Sequence, residues 1–76
     1  MNDTLTYILG AMVDNAEALS IEEKEEEGKT ILVIHADQAD YGKIIGKHGR
    51  IIRAIRDIIK IIAVKKNLYV DVVIAE

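Results

Sequence analysis

The chain contains no cysteine, proline, phenylalanine or tryptophan. Without cysteine there are no disulfides and no thiolate metal sites, and the redox compartment is left undetermined. The only aromatics are Tyr7, Tyr41 and Tyr69, too scattered to form an aromatic platform for stacking bases. No apolar run approaches the roughly 20 residues that span a bilayer. The N-terminus has Asn2 and Asp3 after Met1 rather than the basic start of a signal peptide, so a soluble, cytoplasmic protein with no membrane partner is expected. Hydrophobic residues make up 50% of the chain, mostly Ile, Val, Leu and Ala, which describes a dense aliphatic core rather than a disordered segment. Seventy-six residues suffice for one domain, 1–76, and so short a chain needs efficient packing or self-association to be stable.

The net charge of −3 averages two unlike halves. Residues 1–40 carry Lys24 and Lys29 against ten carboxylates, including Glu22, Glu23, Glu25, Glu26 and Glu27. Residues 41–76 carry eight basic residues, from Lys43 to Lys66, against Asp57, Asp71 and Glu76. Local patches steer a polyanion, not the total, so the second half can meet nucleic acid despite the acidic sum.

Periodicity predicts six elements. Leu5, Ile8, Leu9, Met12, Val13 and Ala16 recur at helical spacing and predict a helix over 3–18, capped by Asn2 or Asp3. Leu19 and Ile21 alternate with Ser20 and Glu22, a strand that ends in a solvated acidic run and a turn at Gly28. Lys29 to Ala36 is β-branched and continuous, as suits a central strand. A short helix over Gln38–Ile45 follows, capped from Asp37–Asp40 and stopped at Gly46. From Gly49 a long helix places Ile51, Ile52, Ile55, Ile58, Ile59 and Ile62 on one arc, with Arg53, Arg56 and Lys60 opposite, and closes at Lys65-Lys66-Asn67. Leu68 to Ala75 is a final strand, with Tyr69, Asp71 and Val73 on one side and Val70, Val72 and Ile74 on the other. The expected fold is α+β in the order α-β-β-α-α-β, with three helices on one face of a three-stranded mixed sheet.

Gly46-Lys47-His48-Gly49 is where the chemistry departs from core building. Two glycines three apart permit backbone angles and close approaches that a side chain would block. A tight turn into a helix leaves unpaired N–H groups that favour anions, and Lys47, Arg50 and Arg53 add cations beside them. From spacing alone, a plain turn between two helices is an equally good reading.

The run Ile44-Ile45-Gly46-Lys47-His48-Gly49-Arg50-Ile51-Ile52-Arg53-Ala54-Ile55 resembles the signature of KH domains, which clamp about four backbone nucleotides with this loop. Two strands before the motif and one after it resemble the type II arrangement rather than type I. Together with Val13-Asp14-Asn15, Gly42-Lys43 and Val70-Asp71-Val72, the whole chain resembles the KhpA family of free-standing bacterial KH proteins. Ala16 and Ala36 stand where that family has proline, and Ile51 and Ile62 where smaller residues are usual. The resemblance implies a small cytoplasmic RNA-binding protein acting in RNA regulation or chaperoning, linked to cell elongation and division. It also implies self-association and a larger partner of the KhpB (KH/Jag) type.

The residues assigned to single-stranded RNA are therefore Lys43, Ile45, Gly46, Lys47, His48, Gly49, Arg50 and Arg53, with Lys47 and His48 foremost for phosphate. His35 is read as structural. Ala54 and Ile61 flank the apolar arc of the long helix and suit a homodimer. A second reading is a protein-interaction module that dimerises through the Gly46–Gly49 region with little RNA affinity. No nucleophile–base pair, phosphate-loop motif or metal-ligand spacing points to an enzyme or to a cofactor.

Overall fold

A two-residue turn starts the sheet. Glu27 and Gly28 both take positive φ, 51° and 79°, the backbone that a tight hairpin requires. Around it β1 (Ser20–Glu26) and β2 (Lys29–His35) pair antiparallel, from Glu26 opposite Lys29 to Ser20 opposite His35. β3 (Val70–Ile74) lies on the other side of β2 and runs parallel to it, Thr30 opposite Val70 and Ile34 opposite Ile74. The sheet order is β1-β2-β3 and the sheet is mixed. A computed structural model describes residues 1–75, and all of this lies within them.

A parallel pair cannot be joined by a hairpin, and the crossover from β2 to β3 carries α2 (Tyr41–Ile45) and α3 (Arg50–Lys65). With α1 (Asn2–Gly10) they cover one face of the sheet, in the expected order α-β-β-α-α-β. Leu32 and Ile34 of β2 and Val70 and Val72 of β3 face these helices. They meet Leu5 and Leu9 of α1, Ile44 of α2, and Ile52, Ile55, Ile59 and Ala63 of α3. Each fully buried aliphatic here contributes about 1.5–3 kcal/mol relative to exposure. The opposite face carries ion pairs across the strands, Lys29–Asp71 at 2.7 Å and His35–Glu22 at 3.0 Å. The bond between them holds Lys29 above the ordinary lysine range and Asp71 below the ordinary carboxylate range.

Three expectations from periodicity need correction. The first helix ends at Gly10, not at residue 18, and only a 3-10 turn, Ala16–Ala18, follows. Met12 and Val13 still pack against the core, so the apolar spacing runs past the end of the helix. What ends it is competition for the backbone. The Asp40 carboxylate accepts from the N–H groups of Asp14 (3.1 Å) and Asn15 (3.0 Å), which a continued helix would need. On α3, Ile51 and Ile58 are not buried; they are 38% and 43% exposed. The apolar sector of this helix is wider than the strip that the sheet and α1 cover, and Ala63 takes a buried place instead.

The second predicted helix is likewise divided, into a 3-10 turn at Gln38–Asp40 and the five-residue α2. Asp37 caps the turn, accepting from the Ala39 N–H at 2.9 Å and from the Asn15 side chain at 3.1 Å. These bonds hold the Asp37 carboxyl below the ordinary carboxylate range. Asp40 is 2% exposed, the one buried charged residue among those described. It ties the α1–β1 connection to the start of α2 and so fixes where α2 points. Replacing it strands two backbone donors. Asp40→Ala is expected to lower stability by about 2–3 kcal/mol in urea denaturation. Faster hydrogen exchange at the Asp14 and Asn15 amides would accompany it, and an unchanged midpoint would exclude this role.

Candidate nucleic-acid interface

Helix α2 delivers the chain to the Gly46–Gly49 loop. Ile44 points into the core and is fully buried, whereas the next residue, Ile45, is 38% exposed beside the loop. The Gly46 N–H still bonds to the Gly42 carbonyl at 2.9 Å, but Gly46 itself takes φ 75° and ψ 173°, which no helix accommodates. Lys47–Gly49 forms a 3-10 turn closed by the Gly49 N–H on the Gly46 carbonyl at 3.1 Å. His48 (φ 58°) and Gly49 (φ 73°) are both left-handed, and α3 starts at once with Arg50.

The two glycines serve different ends. A Cβ on Gly46 would come within 2.5 Å of Ile51 Cγ1 and 2.8 Å of Ile51 Cβ, so the loop closes only because that position has no side chain. A Cβ on Gly49 would meet nothing within 4 Å. There only the left-handed backbone favours glycine, and the space above it stays open for a ligand to approach. The first turn of α3 has no side-chain cap, so its N–H groups keep their partial positive charge.

Lys47, His48, Arg50 and Arg53 are exposed, and none forms an ion pair among the described residues. Lys43 differs. Its ammonium is bonded to the exposed Asp14 carboxylate, which holds it above the ordinary lysine range. Gly46, Lys47, His48, Gly49 and Arg50 are thus contiguous at one end of α3. Arg53 lies one turn further on, and Lys43 stands on the side facing the α1–β1 connection.

Beside the loop runs a groove of about 770 Å³. Tyr41 and Ile45 form one wall, Val73, Ile74 and Ala75 the other, with Gln38 and Arg56 completing the lining. The Tyr41 hydroxyl accepts from the Ala36 N–H at 3.3 Å, which holds that ring in place. Of these residues only Ile45 was assigned to the site from sequence. The share of β3 was hidden because nothing local shows that the last strand pairs parallel to β2 and so comes to lie beside α2. The acidic β1 occupies the opposite edge of the sheet, about 10 Å away at ordinary strand spacing.

Among the described residues no group of three or more His, Asp or Glu gathers as a metal site, and no helix is long and apolar enough to cross a membrane. The loop makes one energetic ranking unavoidable. Gly46→Ala should cost about 2–4 kcal/mol by chemical denaturation, since overpacking and a strained φ add. Gly49→Ala should cost about 1–2 kcal/mol. Adding Ile51→Ala should recover part of the Gly46→Ala loss; strict additivity would remove the contact from the account.

Comparison with known proteins bears on what this loop and groove belong to. The family profile described as KhpA/KhpB, KH domain, matches residues 2–74. The RNA-binding protein KhpA of Chlamydia caviae is 38% identical over 76 residues, covering 100% of this chain and 97% of its own. The protein of the same name from Borreliella burgdorferi is 36% identical over 74 residues, 97% and 90% of the two chains. That of Clostridium acetobutylicum is 40% identical over 67 residues, 88% and 89%. No solved structure gives a significant match. A profile match over nearly the whole chain, full-length relatives and a type II α-β-β-α-α-β fold agree, and the chain belongs to the KhpA/KhpB family of KH domains.

Proposed function

We propose that this protein binds single-stranded RNA, the sugar-phosphate backbone crossing the Gly46–Gly49 loop and the bases lying in the apolar groove beside it. The observation that carries this reading is the loop itself. It presents open space over Gly49, an uncapped helix start, and exposed cations at Lys47, Arg50 and Arg53 that no carboxylate among the described residues engages. Phosphate is held there by charge and backbone N–H groups, which carry no sequence information. Bases meet Ile45, Val73 and Ile74, surfaces that tolerate any of them. Low sequence specificity follows. So does weak, salt-sensitive binding by a single domain, because few phosphates are contacted. The names of the relatives support the same ligand class. A cytoplasmic role in RNA regulation or chaperoning, linked to cell elongation and division, belongs to this proposal, with a KhpB-type partner supported by the shared KhpA/KhpB profile.

Self-association is part of the proposal and rests on a different surface. Along α3, Ile58, Ile61 and Val64 are 43%, 62% and 72% exposed, and Ala54 continues the same flank toward the loop. Ile61 lies about 18 Å along the helix from Gly49, so a homodimer centred there leaves the loop free. This favours joint RNA binding and dimerisation over a dimer that buries the loop. Two such domains raise avidity with no new kind of contact.

Two outcomes check these statements. Lys47→Asp with His48→Asp should abolish RNA binding in a gel-shift assay at low salt, with circular dichroism and molecular mass unchanged; retained binding would refute the loop as the site. Ile61→Lys should convert a dimer to a monomer in sedimentation equilibrium while each domain stays folded. An unaltered mass would place the interface elsewhere.

A further inference from the structure

The end of α3 furthest from the loop carries a surface that neither loop nor groove uses. There the Leu68 N–H bonds back to the Ala63 carbonyl at 2.9 Å, with Asn67 left-handed before it, so the chain turns sharply off the helix. The Tyr69 carbonyl then accepts from the Thr30 N–H at 2.8 Å, which fixes its backbone to β2. Tyr69 is nevertheless 78% exposed, beside the exposed Val64 and Leu68. Two shallow depressions, of about 240 and 250 Å³, meet at these three residues. Lys29 and Lys60 line the larger one, and Lys65 and Lys66 stand on the last turn of the helix above it. Asp71, the one carboxylate in that lining, is bonded to Lys29. Lys60, Lys65 and Lys66 form no ion pair among the described residues.

We propose that this far end of α3 is a second RNA contact, where a base beyond those held at the loop stacks on Tyr69 and the phosphates beside it meet Lys60 and Lys66; the proposal rests on the RNA-binding reading above. Arg53, Arg56 and Lys60 recur at three- and four-residue spacing, so one face of α3 carries cations from the loop to this end. The Arg56 Nε donates to the Val72 carbonyl at 2.9 Å, which ties that row to β3 where the groove ends. Lys60 lies about 17 Å along the helix from Gly49. A stacked strand advances about 3.4 Å per nucleotide, so at most about five further nucleotides reach it. One ring is no stacking platform, but a ring on a fixed backbone among cations holds a single base, and any base offers it a face. The contact therefore adds affinity with RNA length and leaves sequence specificity low. The hairpin glutamates stand beyond Lys29: Glu26 is opposite it in β1, two strands from Tyr69 and about 10 Å away, more than a Debye length at physiological salt. A second subunit is the other occupant for an apolar patch, and charge decides against it. A two-fold contact centred on Tyr69 would press this lysine rim against its own copy. Around Ile61, by contrast, Asp57 four residues before and Lys65 four residues after can meet each other across an antiparallel pair.

Fluorescence anisotropy with the intact protein at low salt, using oligouridines of about five and about ten nucleotides, tests this. Tyr69→Ala should weaken binding of the longer RNA about tenfold and leave the shorter within about twofold of native. Tyr69→Phe keeps the ring and should bind both as the native protein does. Lys60→Gln should lower the salt slope by about one on the longer RNA alone. Circular dichroism and sedimentation equilibrium on each variant should show native fold and mass. Native affinity of Tyr69→Ala for the longer RNA would overturn the second contact and leave the loop reading standing. An equal loss at both lengths would place Tyr69 within the clamp at the loop and overturn it as well. A loss accompanied by a lower mass would make Tyr69 a subunit contact, again overturning it. No binding of either RNA by the native protein would overturn both readings.

Discussion

Parallel pairing of β2 with β3 is the constraint from which the rest of this structure follows. A parallel neighbour cannot be reached by a tight turn, so residues 36–69 must leave the sheet, cross its face and return. In so short a chain the crossover has to supply a large share of the core as well. α2 and α3 do so with Ile44, Ile52, Ile55, Ile59 and Ala63. The sharp bend between them falls at one end of the molecule, beside the edge of β3. Loop and groove are therefore the two ends of one topological necessity, and the bend is placed by the sheet rather than by the loop's own residues.

Two contacts, one at each end of α2, fix the geometry of that bend. Asp40, buried at the start of α2, holds the backbone of Asp14 and Asn15 and sets the direction in which α2 leaves β2. At the other end of α2, Gly46 lies so close to Ile51 that a single methyl group would push the helices apart. Between these points α2 is only five residues long, too short to be stable by its own hydrogen bonds. Its position is borrowed from its neighbours. The loop is then a pre-organised backbone bend, and the cations around it are carried on a rigid helix rather than on a mobile tail.

Charge is arranged with the same economy. β1 concentrates glutamates on the far edge of the sheet, where they also keep an exposed strand edge from pairing with another chain. The exposed cations Lys47, Arg50 and Arg53 stand at the opposite side, beside the groove. Lys43 is the exception: placed next to Asp14, it shares its surroundings with an exposed carboxylate of the first half of the chain.

The sequence by itself determined the element order, the loop and most of the core, because periodicity and glycine placement are local properties read at fixed spacing. Leu32, Ile34, Ile52, Ile55 and Ile59 are apolar in the right rhythm, and Gly28, Gly46 and Gly49 sit where left-handed backbone is required. Only the tertiary structure decided where the first helix stops, which flank of α3 stays bare, and what lines the groove. Each of those depends on a partner distant in sequence. Asp40 takes the amides of Asp14 and Asn15; the sheet covers Ile55 and Ile59 but leaves Ile58 and Ile61; the Val72 carbonyl accepts from Arg56, which stays exposed yet lines the groove. Spacing along a chain records which faces are apolar or charged, but not how wide a surface will be pressed against them or whose backbone will be left open beside them.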